Sequence, residues 1–301
     1  MCKKINQQHR TRIIAFFLFI SPWLVSYLIF TLGPIVMNFV YSFSKYNAIS
    51  NPSFIGLNNY REMFKDSLFW QSLRVTVYYT LGFVPFAVAG AFLLALLLNQ
   101  KIPFLGMWRT IFYLPVVTAG VAVALIFMWL FQPTYGLVNV TLYQLFHIQG
   151  PGWFFDEKTA IPATITMGLW GIGAQMLVYL AGLQSIPTQL YEAAMIDGAG
   201  SFRKFFSITV PMMTPIIFYN LVICIINSFQ VFTPAFVITQ GGPNYATYFY
   251  VLYLYESGFR NYRFGYASSL ACLLFIIILL MTFLIFKTAK SWVYVDGGDR
   301  Q

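Results

Sequence analysis

Val75-Thr-Val-Tyr-Tyr-Thr-Leu-Gly-Phe-Val-Pro-Phe-Ala-Val-Ala-Gly-Ala-Phe-Leu-Leu-Ala-Leu-Leu-Leu98 contains no Lys, Arg, Asp or Glu. It is long enough to cross a bilayer core as helix, which takes about 20 apolar residues. Five further charge-free stretches have the same character: Ile13–Tyr41, Thr110–Phe131, Ala160–Gln184, Val210–Val237 and Phe264–Phe286. Over the 301 residues, 59% are hydrophobic and 9% charged, against about 25% charged in a soluble domain. The surrounding medium is therefore largely lipid. Backbone left unpaired in hydrocarbon costs several kcal/mol, so helices are the spanning form. The expected fold class is an all-α membrane protein of six transmembrane helices.

Six crossings put both termini on one side. Basic residues collect on the cytoplasmic side of membrane proteins. Lys3, Lys4, Arg10, Arg12, Lys101, Arg109, Arg203, Lys204, Lys287, Lys290 and Arg300 fall on the side of the termini. Lys45, Arg61, Lys65, Arg74, Lys158, Arg260 and Arg263 fall on the other. The excess predicts cytoplasmic termini in a multi-pass protein of the cell membrane. It divides the chain into a tail at 1–12, a six-helix domain at 13–288 and a second tail at 289–301.

The net charge of +9 is spread over loops on both faces, which argues against a nucleic-acid partner. The first apolar run is much longer than the core of a cleaved signal peptide and has no small-x-small exit, so it reads as a retained anchor. Cys2, Cys224 and Cys272 are too scattered for a disulfide framework or a metal cluster. His9 and His147 form no His-Glu-x-x-His pair, and no Gly-x-x-x-x-Gly-Lys phosphate loop occurs. An ion-coupled secondary transporter is the main alternative, but the predicted spans hold none of the acids that ion coupling usually uses. The outer loops, at 45–74, 132–158 and 239–263, are rich in Gly, Pro, Trp and Tyr, which suits the headgroup zone.

The most patterned segment is the inner loop at 185–209, which reads Ser185-Ile-Pro-Thr-Gln-Leu-Tyr-Glu192-Ala-Ala-Met-Ile-Asp197-Gly198-Ala-Gly200-Ser201-Phe-Arg-Lys-Phe-Phe-Ser-Ile208-Thr209. Pro187 suits a helix start, and Gly198 and Gly200 follow a run of helix formers, so a helix of about nine residues is expected. Ser201 is expected to cap a second helix leading into the fifth span. A helix this short is marginal in water and needs a surface to pack on. Leu190 and Tyr191 offer apolar surface, Ala193 and Ala194 leave the backbone approachable, and Glu192 can accept a bidentate bond from arginine. These features fit a helix seated in a partner's groove. A membrane-surface helix is less consistent with the sequence, because Glu192 and Asp197 are the only charges on it.

Glu192-Ala193-Ala194, Gly198, Ile208 and Pro211 stand at a spacing that resembles the permease subunits of bacterial binding-protein-dependent ATP-driven importers, with Val210 where those carry Leu. That resemblance implies a type I importer fold in which Leu190, Tyr191, Glu192, Ala193, Ala194, Asp197 and Gly198 form a coupling helix on a cytosolic ATPase. Ser21-Pro22-Trp23, Gly33-Pro34, Gly56-Leu57-Asn58-Asn59-Tyr60 and Gln240-Gly241-Gly242-Pro243 are similar to the first permease of the maltose-type, carbohydrate-importing branch. The resemblance implies a second permease, two ATPase subunits that bind the ATP and Mg, an extracytoplasmic binding protein and a carbohydrate solute. No cofactor is expected in this chain. Large extra N-terminal and outer segments of the maltose permease have no counterpart in the match.

Polar groups inside spans are costly and therefore informative. Thr164, Gly168, Gly171 and Gln175 recur at helical spacing in the fourth span beside Trp170, and Asn220, Asn227, Ser228 and Gln230 cluster in the fifth. They can serve as glue between helices. Alternatively, Trp170, Gly171, Gln175, Asn227, Ser228 and Gln230 line a sugar path, the amides bonding hydroxyls and Trp170 stacking on a pyranose.

Overall fold

The computed structural model describes residues 2–100 and 102–294, with the backbone alone described at 2–11, 13 and 14. The side chains of Cys2, Lys3, Lys4, His9 and Arg10, and all of Lys101 and Arg300, lie outside the described residues.

The chain is helical for most of its length. Helix α1 (Cys2–Tyr27) continues through a π-helical segment, Leu28–Leu32, into α2 (Gly33–Ser42). A two-residue hairpin follows, β1 (Ser44–Lys45) antiparallel to β2 (Ser53–Phe54), and then α3 (Asn58–Met63). Helix α4 (Ser67–Leu98) has 32 residues, about 48 Å at 1.5 Å per residue. Next come α5 (Leu105–Val117), α6 (Gly120–Leu130), α7 (Leu137–Phe146), α8 (Ala160–Leu169), α9 (Gly173–Ser185) and α10 (Thr188–Ile196). The last part is α11 (Ser201–Lys204), a π segment at Phe205–Thr209, α12 (Val210–Phe229), α13 (Tyr250–Tyr255) and α14 (Phe264–Trp292).

Among the described residues, four uninterrupted helical runs are long and apolar enough to cross a membrane: Ala15–Ser42, Ser67–Leu98, Ser201–Phe229 and Phe264–Trp292. The other two expected spans are broken. Residues 105–130 bend by 101° between α5 and α6, and 160–185 bend by 45° between α8 and α9. Counting each bent pair once gives the expected six crossings.

Four boundaries correct the hydropathy reading. Helix α4 begins at Ser67 because the Asp66 carboxylate caps it, accepting from Leu68 N at 2.9 Å; Arg74 is thus inside the helix instead of the preceding loop. The α5–α6 bend follows Pro115, which cannot donate back along the helix, and Thr118 and Ala119 are extended. Thr164 and Gly168 lie on α8 and Gln175 on α9, so the 45° bend denies them one straight face. Finally, α12 stops at Phe229, and Gln230 lies just past its end.

The chain forms two compact units, 1–65 with 254–275, and 66–253 with 276–301. In the smaller, the Asn59 amide donates to the Ser42 and Ser44 carbonyls at 2.9 and 3.0 Å, and the Tyr60 hydroxyl donates to Ser42 Oγ at 2.9 Å. Burial pushes the Tyr60 phenol above its ordinary value, keeping it a donor. Arg263 pairs with Glu62 at 2.6 Å and lies over the Tyr266 ring.

In the larger unit, α4 is the hub, packing on α8, α9 and α12. Ala87, Ala91 and Ala95, four residues apart and 0% exposed, let those helices approach. Glycines do the same from the other side: a Cβ at Gly168 would stand 2.8 Å from the Phe83 ring, and one at Gly173 would meet the Phe112 carbonyl.

Candidate coupling helix and solute path

Pro187 fixes the entry to α10 as its N-cap, and Asp197 ends it after nine helical residues. Gly198 then adopts φ +72°, a left-handed backbone that glycine takes without strain, and Ala199 N donates to the Ala194 carbonyl at 2.8 Å. The expected nine-residue helix is present. Ser201 does not cap its successor: Gly200 occupies that position and carries no side chain that could bond the open amides.

The helix is held by one residue above all. Tyr191 packs against a core built from Ala91, Ala95 and Leu98 of α4, Tyr179 and Leu183 of α9 and Met213 of α12. Its hydroxyl lies 2.9 Å from Thr209 Oγ1. Ile208 joins the same core. Tyr191 therefore turns partly into the bundle and is half-buried there. Glu192, Ala193, Asp197 and Gly198 are exposed, as are Leu190, Met195 and, at 88%, Ile196, whereas Ala194 is half-buried. Among the described residues Glu192 has no ion-pair partner.

The polar residues of the spans gather where helices stop. Cys224 of α12, Val84 and Ala87 of α4, and Leu169 and Ile172 flanking the α8–α9 break share one cluster, so that break and the last turns of α12 lie at one level. Trp170, 41% exposed, and Gly171, also exposed, form the break itself; the Trp170 ring stands edge-on to Phe127 at 5.6 Å. Asn227 and Gln230 are exposed at the end of α12. Ser228 differs, being 1% exposed with its hydroxyl donating to the Ile225 carbonyl at 2.8 Å. Thr164 and Asn220 are likewise buried and bond back to their own helices. Gln175 lies beside Cys224. Its Oε1 and the hydroxyl of Tyr179, one turn along α9, are buried with no hydrogen-bond partner among the described residues, a condition that costs about 1–3 kcal/mol per group.

Three positioning residues went unread in the sequence. Arg109 Nη2 reaches the Leu98 carbonyl at 3.5 Å, placing a cation at the end of α4 where the helix dipole favours it. Asn139 on α7 donates to the Pro133 and Pro151 carbonyls at 3.0 and 3.2 Å and accepts from Trp153 Nε1 at 2.6 Å, closing the hairpin between α6 and α8. At the other end of α4 from α10, the Tyr253 hydroxyl donates to the capping Asp66 carboxylate. An uncharged Asn within an apolar stretch was the available signal for the second. The others required spatial neighbours.

Comparison with known proteins gives a consistent picture. The family described as binding-protein-dependent transport system inner membrane component matches residues 76–289. The probable ABC transporter permease protein YesP of Bacillus subtilis (strain 168) is 39% identical over 290 residues, covering 95% of this chain and 94% of its own length. The arabinooligosaccharides transport system permease protein AraP of the same strain is 32% identical over 280 residues, covering 92% and 88%. A chain from the crystal structure of a bacterial ABC transporter involved in the import of the acidic polysaccharide alginate superposes with TM-score 0.81 at 22% identity, covering 95% of this chain and 98% of its own. At that identity the likeness is one of fold, and it is the type I permease fold.

Proposed function

The chain belongs to the family of binding-protein-dependent transport system inner membrane components, and from that premise we propose that it forms half of the passage of an ATP-driven saccharide importer. A second permease completes the passage, and an extracytoplasmic binding protein delivers the solute. Two cytosolic ATPase subunits bind ATP and Mg and do the hydrolysis, while this chain does none. The termini and α10 face the cytoplasm.

The observation that carries the reading is the seating of α10. A nine-residue helix does not hold its shape alone in water, yet here its inner side is fastened to α4, α9 and α12 through Tyr191 while Glu192 and Ile196 face out. A groove that grips the outer side thereby pulls on α4, α9 and α12 together. Closure of the ATPases on ATP can shift the spans only through a contact that differs between the two states, and α10 is placed to supply it in a rigid-body alternation of access.

The helix break supports the passage assignment. Irregular backbone at membrane depth is tolerated where it is covered by protein or lines a water-filled cavity, and Trp170, Gly171, Asn227 and Gln230 are exposed at that level. Amides and an aromatic face suit saccharide hydroxyls and ring carbons. The relative named for arabinooligosaccharides supports the same class.

The test is reconstitution of the full complex in proteoliposomes. ATP hydrolysis should rise on adding solute-loaded binding protein and be indifferent to collapse of ion gradients. Solute uptake that follows an ion gradient without ATP would replace this reading with secondary transport.

A further inference from the structure

The end of α4 remote from α10 holds a second feature of interest. Gln71, Arg74 and Tyr78 of α4, Glu157 just before α8, and Asn244 of the segment after α12 line a cleft of about 370 Å³, within the range of about 300–1,000 Å³ usual for small-ligand sites. Tyr78 is 60% exposed in it.

The segment that brings Asn244 and Ala246 to the cleft is unusually constrained. Gln240, Gly241, Asn244 and Tyr245 have φ of +48°, +87°, +43° and +59°. Left-handed backbone at non-glycine residues costs about 1–3 kcal/mol each and persists where the surroundings enforce it, commonly at functional sites. The enforcement is visible. The Thr247 hydroxyl contacts the Gly242 carbonyl and Thr239 Oγ1, each at 2.6 Å, and Gln71 Nε2 donates to the Tyr245 carbonyl at 3.4 Å. Tyr250 N donates to Thr76 Oγ1 at 2.9 Å, so the segment is tied to α4. A strained segment that holds the Asn244 amide at the cleft is a preorganised recognition element.

The donors and acceptors are those a sugar ring requires: two amides, a guanidinium, a carboxylate and one aromatic face. Arg74 and Glu157 carry opposite charges in one cleft, so the site has no net charge to attract an acidic sugar. We propose that this cleft is an outer subsite that receives one unit of an uncharged saccharide as it leaves the binding protein, ahead of the path at Trp170. The inference rests on the import reading above and on its orientation.

The experiment uses the complete complex with its binding protein in proteoliposomes, offering radiolabelled lactose, arabinotriose and maltotriose in turn. The wild type is expected to take up at least one. Asn244→Gly removes the amide while keeping the left-handed backbone, and Tyr78→Leu removes the ring. Each should lower uptake at limiting loaded binding protein by about fivefold, the scale of one lost polar or stacking contact, and change the saturated rate by less than about twofold. Uptake of none of the three sugars overturns the saccharide reading and the subsite together. Wild-type uptake curves in both variants overturn the subsite alone. The charge argument is read separately, in a chain with Cys2, Cys224 and Cys272 replaced by alanine and Tyr78→Cys added. Anionic and cationic thiosulfonates should label it at rates proportional to their intrinsic reactivities; a bias of about tenfold toward the anionic reagent, the mark of a focused positive field, overturns the uncharged-ligand assignment.

Discussion

The hydroxyls of Tyr191 and Thr209 stand 2.9 Å apart, joining the middle of α10 to the residue just before α12 across 18 residues of sequence. With the packing of Tyr191 and Ile208, this bond ties the loop at 185–209 to the bundle core, and under the proposed function it is a route by which a push on α10 reaches the apolar helices. Tyr191→Phe keeps the ring in the core and deletes the bond, which is worth about 1 kcal/mol. The complex is expected to assemble, with ATP consumed per solute transported rising roughly twofold or more. The ratio of phosphate release to uptake measures it, and a wild-type ratio would show that the bond transmits nothing.

Glu192 faces the other way, exposed and without an ion-pair partner among the described residues. Removing one partner of a buried interfacial charge pair costs about 2–5 kcal/mol. Glu192→Ala should weaken retention of the ATPase subunits by roughly thirtyfold or more on an affinity column, or leave hydrolysis unresponsive to loaded binding protein. Fully coupled transport in this variant would remove Glu192 from the contact.

Neighbours in the fifth span differ in exposure, which sets the proposed path role of one against the packing of the other. Asn227 is exposed, whereas the adjacent Ser228 is 1% exposed and bonded to Ile225 of its own helix. Asn227→Ala, and Gln175→Ala one level away, should lower uptake by about fivefold to tenfold, on the scale of one or two hydrogen bonds, without reducing the amount of assembled complex. Ser228→Ala should stay within about twofold. Equal losses at Asn227 and Ser228 would assign the whole cluster to packing.

Close helix approach predicts a stability contrast between two glycines. A Cβ at Gly173 would run into the Phe112 carbonyl, while one at Gly106 has nothing within 4 Å among the described residues. Gly173→Ala should destabilise by about 1–3 kcal/mol through overpacking, visible as a lower melting midpoint of the purified complex. Gly106→Ala should match the wild type. The comparison fails if both variants melt alike.

Much of the fold was legible because hydrocarbon leaves few choices. Charge-free stretches such as 75–98 and 264–286 have to become helices once no water is present to satisfy the backbone. The loop at 185–209 was equally readable, since Pro187 and Gly198 punctuate a helix whose length follows from local chemistry alone. Hydropathy did not reveal how far a helix runs beyond its apolar part. Asp66 starts α4 two turns early and draws Arg74 inside it, a result of one capping bond and not of any average over residues.

The sequence by itself determined that this chain crosses a membrane as helices and carries a short, punctuated helix on one loop, because both follow from solvent and from contacts a few residues apart. The tertiary structure alone decided which side of that helix is spare. It also decided where the spans break and which of two adjacent polar residues is open. Those outcomes depend on what stands opposite. Tyr191 turns inward because Thr209 and the α4–α9–α12 core receive it, and the chain can bend after Pro115 while α5 approaches Gly173 because no side chain there holds the backbones apart.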